Sequence, residues 1–446
     1  VRLNALLRYW ICAVIVAGVA AGDAYAQSDP RYIPIGRANG ALYLPDSGTE
    51  PHIGILIVHR TGNFMNYHAC RRLSERGYLV LCMNTRAVNN PAKVVWEDLA
   101  LDLRAGVEFL RGRPGISSVL LWGWSGGGGT TSFYQAVAEN GITYCQGPNK
   151  LSECGPALRN LPPADGLILV DTNHGIAHQA IARLNPTVVN DAEIFAINAL
   201  PRLEPDLDPF DPNNGYDPNG ASNYSEAFRE RYFEAQSRRM NALIGIAQAR
   251  LQAISERSTP FPDDDIFLVR RAATAELLRL DPGIHHRTLK PQKLLLNSGE
   301  IVRQIVESVR LPEPELAAEN ATFSDGTLLL TLRSFLSANA MRSNHALDDV
   351  DFCSSNNSTP CAVQSISVPL LITAMQGNRY LRYNEIHFDL ASSEDKDYVI
   401  IEGATHPQMP CEPCEQFPGQ YSNATDNFFD YVVNWIDERF HGPGPL

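Results

Sequence analysis

The sequence has little that suits a membrane. The run Trp10 to Ala21 is too short for a comfortable span and no other stretch is long and apolar enough to cross a bilayer, which excludes a polytopic membrane protein. Basic residues are in deficit, with 37 Lys and Arg against 50 Asp and Glu, and the formal net charge of -13 repels phosphate backbones, so nucleic acid is not expected as a partner. There is no internal repeat and no low-complexity tract. An apolar fraction of 44% with 20% charged residues excludes a largely disordered or collagen-like chain. No Gly-Lys-Ser/Thr ending accompanies the glycine-rich segment near residue 125, which sets a nucleotide P-loop aside. The pair in Cys411-Glu412-Pro413-Cys414 has no second pair at zinc-ribbon spacing, so neither a metal nor a cofactor is expected.

What is present begins with the amino end. Arg2 and Arg8 precede the apolar run, and Ala24-Tyr25-Ala26 follows it, the layout of a secretory signal peptide over residues 1–26. Its removal takes Cys12 away and leaves eight of the nine cysteines, an even number that suits disulfides in an oxidising compartment. Cys145 with Cys154, Cys353 with Cys361, and Cys411 with Cys414 each close a short segment and are the first candidate pairs; Cys70 and Cys82 remain as a fourth. The expected location is secreted or periplasmic, with no stable membrane anchor after cleavage.

At 446 residues the chain exceeds the usual ceiling for one core, so a large insertion or a second domain is expected. Short buried strands read at 52–59, 78–83, 119–122, 167–170, 369–374 and 398–401, with helical patterns between them and a closing helix over 427–440. Such alternation predicts an α/β fold, a mostly parallel sheet flanked by helices. It stops between about 174 and 362. The expected organisation is therefore a core over 27–173, a mainly helical cap over 174–362, and the second part of the core over 363–446. Within the cap, the Asp- and Asn-rich piece Leu207 to Gly215 does not fit a calcium loop and reads as Asx turns. The cap aromatics Phe210, Tyr216, Tyr224, Phe228, Tyr232 and Phe233 either line an acyl pocket or pack the cap's own core.

Gly123-Trp124-Ser125-Gly126-Gly127 is Gly-x-Ser-x-Gly, set after a strand and before a helix. In that context the motif forces a sharp turn that projects the Ser at the top of a sheet, beside helix N–H groups that favour developing negative charge. A Ser nucleophile needs a base. His406 closes Glu402-Gly403-Ala404-Thr405-His406, after the last strand and before the terminal helix, where the base lies if the order is Ser, acid, His. The other histidines (His59, His174, His178, His285, His286, His345, His387 and His441 among them) are read as structural or surface residues. The oxyanion donors are expected to be the backbone N–H of Gly126 and one from Arg60 or Thr61, in the loop after the first core strand.

Residues 52–173 and 367–440 resemble the α/β-hydrolase fold, on the His-x loop at His59, the Gly-Trp-Ser-Gly-Gly elbow and the Glu-Gly-Ala-Thr-His segment. The resemblance implies a serine hydrolase, most often an esterase or lipase, and covers about half of the chain that follows the leader. Arg60 departs from the commoner His-Gly form and brings a guanidinium near the site mouth. The family acid usually follows the strand at 369–374, but Asn378 stands there and holds no charge. Glu385, a few residues on, is the expected acid. Asp171, ending the strand at 167–170, is the alternative; Asp389 or an acid-free dyad complete the choices.

The leading function is a secreted or periplasmic serine hydrolase that cleaves a carboxylic ester, from a small molecule or a polymer, through an acyl-enzyme. A carbon–carbon bond hydrolase and a peptidase stay open on the same scaffold. From other classes, a non-catalytic binding protein with a degenerate triad draws on Asn378, and a Cys-x-x-Cys redox protein needs Cys411 and Cys414 reactive.

Overall fold

The computed structural model describes residues 29–45 and 50–440; the leader expected at 1–26 lies outside the described residues. Ten strands form one mixed sheet. In chain order they are β1 (Arg31–Ile35), β2 (Ala38–Tyr43), β3 (Ile53–Val58), β4 (Leu79–Met83), β5 (Ser118–Trp124) and β6 (Gly166–Val170), and later β8 (Gln292–Leu295), β9 (Ile301–Gln304), β13 (Leu370–Met375) and β14 (Lys396–Ile401). Their spatial order is β1-β2-β4-β3-β5-β6-β13-β14-β8-β9. From β4 across to β8 every neighbouring pair is parallel, while β1, β2 and β9 run antiparallel to their neighbours. This is the mostly parallel sheet flanked by helices that the strand pattern predicts.

Parallel strands need cover on both faces, and alternating side chains feed two cores. On β3, Leu56 and Val58 enter one core with α2 (Trp96–Arg111) and α3 (Gly126–Asn140). Ile53, Ile55 and Ile57 enter the other, shared with Phe428, Phe429 and Trp435 of the closing helix, Ala424–Arg439. The β3 strand lies between β4 and β5, so the chain order reverses there. In open α/β sheets the crevice beyond the strand C-termini at such a point is where ligands bind.

The insertion enters between β6 and its spatial neighbour β13. Its longest helix, Glu226–Ser255, starts at Ser225, whose hydroxyl accepts from Phe228 N at 3.2 Å. Tyr224, Phe228, Tyr232 and Phe233 are buried in a third apolar cluster, with Phe210 and Tyr216 against it, so these aromatics pack the cap's own core. Asp208 and Asp211 accept from Phe210 N (3.0 Å) and Asn213 N (2.8 Å), which are Asx turns.

The mainly helical insertion expected over 174–362 also carries strands. It contains β7 (Ile266–Val269) paired antiparallel with β10 (Leu328–Thr331), and the short ladder of β11 (Ser343–His345) with β12 (Asp349–Val350). Its stretch 292–304 rejoins the main sheet as β8 and β9. The reason is visible in two residues: Leu294 extends one sheet core and Leu295 the opposite one, so the pair continues both layers past β14.

All eight cysteines among the described residues stand in pairs at disulfide distance: Cys70–Cys82, Cys145–Cys154, Cys353–Cys361 and Cys411–Cys414, with Cα separations of 6.1, 5.6, 5.2 and 5.2 Å. Among the described residues no helix is long and apolar enough to cross a membrane.

Candidate active site

Ser125 lies between β5 and α3 with φ 54° and ψ -124°, a conformation that costs a non-glycine residue about 1–3 kcal/mol and is typical of functional sites. The glycines beside it are needed for close approach. A Cβ on Gly123 would lie 2.7 Å from Gly128 Cα, and one on Gly127 would lie 2.6 Å from the Val58 carbonyl oxygen. The turn therefore packs α3 directly onto the end of β3 and lifts Ser125, which is only half-buried, to the top of the sheet. Gly126 is the first residue of α3, so its N–H has no helical acceptor one turn back and is free to face a developing anion.

His406 sits in the loop after β14 and is held by several contacts. Trp124 Nε1 and Gln408 Nε2 donate to its carbonyl oxygen at 2.8 and 2.6 Å. Its ring stacks on Trp124, the neighbour of Ser125, with centroids 4.6 Å apart, and meets the edge of Tyr380 at 5.5 Å. The Cys411–Cys414 pair closes the same loop, where Cys411 N donates to Gly403 O at 2.8 Å.

The carboxylate that meets His406 is that of Asp171. Its Oδ2 lies 2.6 Å from His406 Nδ1, and the carboxylate is fully buried at the end of β6. Oδ1 accepts from Met375 N at 3.2 Å, and Oδ2 also accepts from Asn378 Nδ2 at 2.6 Å. Nδ1 also lies 3.0 Å from Asn378 Nδ2; a proton on Nδ1 directed at the carboxylate leaves Nε2 with the free lone pair. Asn378, in the place where the sequence lacks an acid, thus braces the acid supplied by the adjacent strand.

The expectation for Glu385 is corrected by the same geometry. The helix after β13 is Leu381–Leu390, so Glu385 sits a full turn inside it. Its buried carboxylate accepts from Leu289 N (2.9 Å), Lys290 N (2.9 Å), Gln292 Nε2 (3.0 Å) and Arg382 (2.6 Å). It anchors the chain leading into β8, and no bond joins it to His406. Asp389 pairs with Lys290 on the surface.

The loop after β3 is shaped by His59. Its Nδ1 accepts from Gly62 N at 3.0 Å and more weakly from Thr61 N at 3.4 Å. Burial, then the charges of Arg60 and His406, push its pKa down to about 3, so the ring is neutral and its proton is on Nε2. That Nε2 lies 3.2 Å from where a Cβ on Gly126 would stand, and Arg60 Nε lies 3.5 Å from the same point. The expected oxyanion region is thus bordered by Gly126, His59 and Arg60. Thr61 N–H is turned toward the His59 ring. His59 is a site residue that sequence reading passed over; its position directly before Arg60 and Thr61 was the available signal.

Deeper in the cap junction, His174, His178 and His387 are almost fully buried. His174 Nδ1 meets His387 Nε2 at 2.9 Å, and His387 Nδ1 meets Thr172 Oγ1 at 3.2 Å. Burial lowers all three pKa values, to about 4 for His178 and about 3 for His387. Among the described residues no group of three or more His, Cys, Asp or Glu is placed to hold a metal ion.

No protein-family model and no curated protein sequence matches the chain. Solved structures with similar architecture include Est1E from Butyrivibrio proteoclasticus, at 11% identity and a TM-score of 0.39, over 92% of this chain and 98% of that one. A monoglyceride lipase variant from Saccharomyces cerevisiae matches at 13% identity and a TM-score of 0.38, over 93% and 96% of the two chains. A proline iminopeptidase from Mycobacterium smegmatis matches at 12% and 0.38, over 92% and 98%.

Proposed function

We propose that this chain is a secreted or periplasmic serine hydrolase that cleaves carboxylic esters through an acyl-enzyme. The observation that carries the reading is the 2.6 Å contact of His406 Nδ1 with buried Asp171, on a ring stacked against the residue before strained Ser125. In this reading Ser125 Oγ attacks the ester carbonyl as His406 Nε2 takes its proton. Asp171 stabilises the imidazolium that results. The tetrahedral oxyanion is met by Gly126 N–H, with a second donor from the loop at His59 and Arg60. His406 then protonates the leaving alcohol. Water, deprotonated by the same nitrogen, releases the acid and restores Ser125.

The buried Asp171 removes the reason for a degenerate triad, because Asn378 is a hydrogen-bond donor to the acid rather than its replacement. Turnover of p-nitrophenyl esters of graded acyl length tests the proposal. The wild-type chain hydrolyses at least one member, and Ser125→Ala loses about 10⁴-fold or more in kcat while keeping its fold. Full turnover in that variant overturns the assignment.

A further inference from the structure

A cavity of about 470 Å³ opens beside the elbow. Its wall includes Ile176, whose Cδ1 lies 3.1 Å from the Cβ position of Gly126, so the cavity abuts the residue that follows the nucleophile. Ala180, Leu328 and Leu330 supply apolar wall, and Arg60 and Arg183 supply two guanidinium groups. No Asp or Glu lines it. A cavity of about 710 Å³ on the cap is different in kind, with five carboxylates and three arginines around it.

Arg60 is the unusual member. Several arginines nearby have acidic partners: Arg183 with Glu276 at 3.3 Å, Arg379 with Glu276 at 2.9 Å, and Arg279 with Glu313; Arg310 has none among the described residues and donates to backbone carbonyls instead. Among the described residues no carboxylate pairs with Arg60, and its buried Nε has no hydrogen-bond partner. Burial and the nearby charge of Arg183 push its pKa down to about 10, which leaves it a cation at neutral pH. A half-buried guanidinium whose buried Nε lacks an acceptor gains when an anion arrives to complete it. On a chain of net charge -13 the general field repels anions, so a cationic chamber whose Arg60 and Ile176 both reach Gly126 is a local exception.

Resting on the serine-hydrolase reading, we infer that the natural ester carries a carboxylate, which enters this cavity and pairs with Arg60 and Arg183 while the ester carbonyl sits at Ser125. Guanidinium forks match carboxylates, and the apolar wall suits the carbons between acid and ester. Hydrolysis itself is unchanged: water adds across the ester bond, and the distal carboxylate neither gains nor loses a bond.

The test compares kcat/KM within matched pairs of esters. The monoanionic p-nitrophenyl adipate is set against p-nitrophenyl hexanoate, and 4-carboxyphenyl hexanoate against phenyl hexanoate; the pair that responds locates the carboxylate on the acyl or the leaving side. The wild-type chain favours the anionic member of at least one pair by roughly 10- to 100-fold, the range of a charge-assisted hydrogen bond. In Arg60→Met that ratio falls to near one, and Arg60→Lys restores part of it. Arg183→Gln lowers the ratio as well. Each ratio is taken within one variant, so a general loss of turnover cancels. Wild-type ratios near or below one in both pairs, or a ratio that survives Arg60→Met, overturn the inference while hydrolysis of the neutral esters leaves the serine-hydrolase reading standing. Absence of all hydrolysis together with no fluorophosphonate adduct on Ser125 overturns both.

Discussion

Acidification should unfold this protein sooner than its carboxylates would suggest, because three histidines are buried without charge. His174, His178 and His387 are each at most 1% exposed, and burial holds all three below the ordinary value of 6.5. For a group whose folded pKa is depressed, the unfolded chain takes up the proton first. Stability is therefore complete above about pH 6.5 and falls as pH drops toward the folded values. At pH 5 protonation stabilises each unfolded histidine by about 2 kcal/mol that the folded state forgoes, or about 6 kcal/mol for the three. Against a total stability of about 5–15 kcal/mol this is a large share. His59 and His285, both lowered to about 3, act in the same direction; Glu97, raised by burial, acts in the opposite one. Guanidinium titrations at pH 7 and pH 5, followed by tryptophan fluorescence with disulfides intact, measure the difference. His387→Gln, which cannot titrate, should remove about 2 kcal/mol of it. A free energy of unfolding that is flat from pH 7 to pH 5 would refute the reasoning.

Further outcomes follow from single contacts. Asp171→Asn should lower kcat by roughly 10³–10⁴-fold, while Glu385→Gln stays within about tenfold but loses about 3 kcal/mol of stability through its broken buried pairing; steady-state kinetics with thermal unfolding separates the two. Gly127→Ala should destabilise by roughly 2–4 kcal/mol, because the new Cβ meets the Val58 carbonyl at 2.6 Å, and calorimetry reads the shift in Tm. Replacing Cys411 and Cys414 together by Ser should cost about 2 kcal/mol and lower kcat more than KM changes, since the segment they close carries His406.

The parts legible in the sequence are those fixed locally. A strand, a Ser between glycines and a helix start are adjacent in the chain, so the elbow at Ser125 announces itself, and His406 does so through its place between β14 and the closing helix. The acid is set by long-range packing and was only half legible. Choosing between Asp171 and Glu385 requires knowing that the helix after β13 begins at Leu381, which carries Glu385 away toward β8, and that β6 lies against β13, which puts Asp171 under the His loop. The return of Gln292 to Leu295 to the main sheet was hidden for a similar reason: four residues of mixed polarity give no period, and only the two cores they extend explain them. The partner-free Arg60 Nε was beyond sequence reading, since what marks it is the acid that does not come near.

The central claim is that Ser125 is a nucleophile activated by His406 and Asp171. The most direct measurement is peptide mapping by mass spectrometry after exposure to a fluorophosphonate, with the labelling rate compared across wild type, Ser125→Ala and Asp171→Asn. The account predicts a covalent adduct on the peptide containing Ser125, no adduct there in Ser125→Ala, and labelling slowed by orders of magnitude in Asp171→Asn. No adduct on the wild-type chain, or an adduct on a different serine, would contradict it.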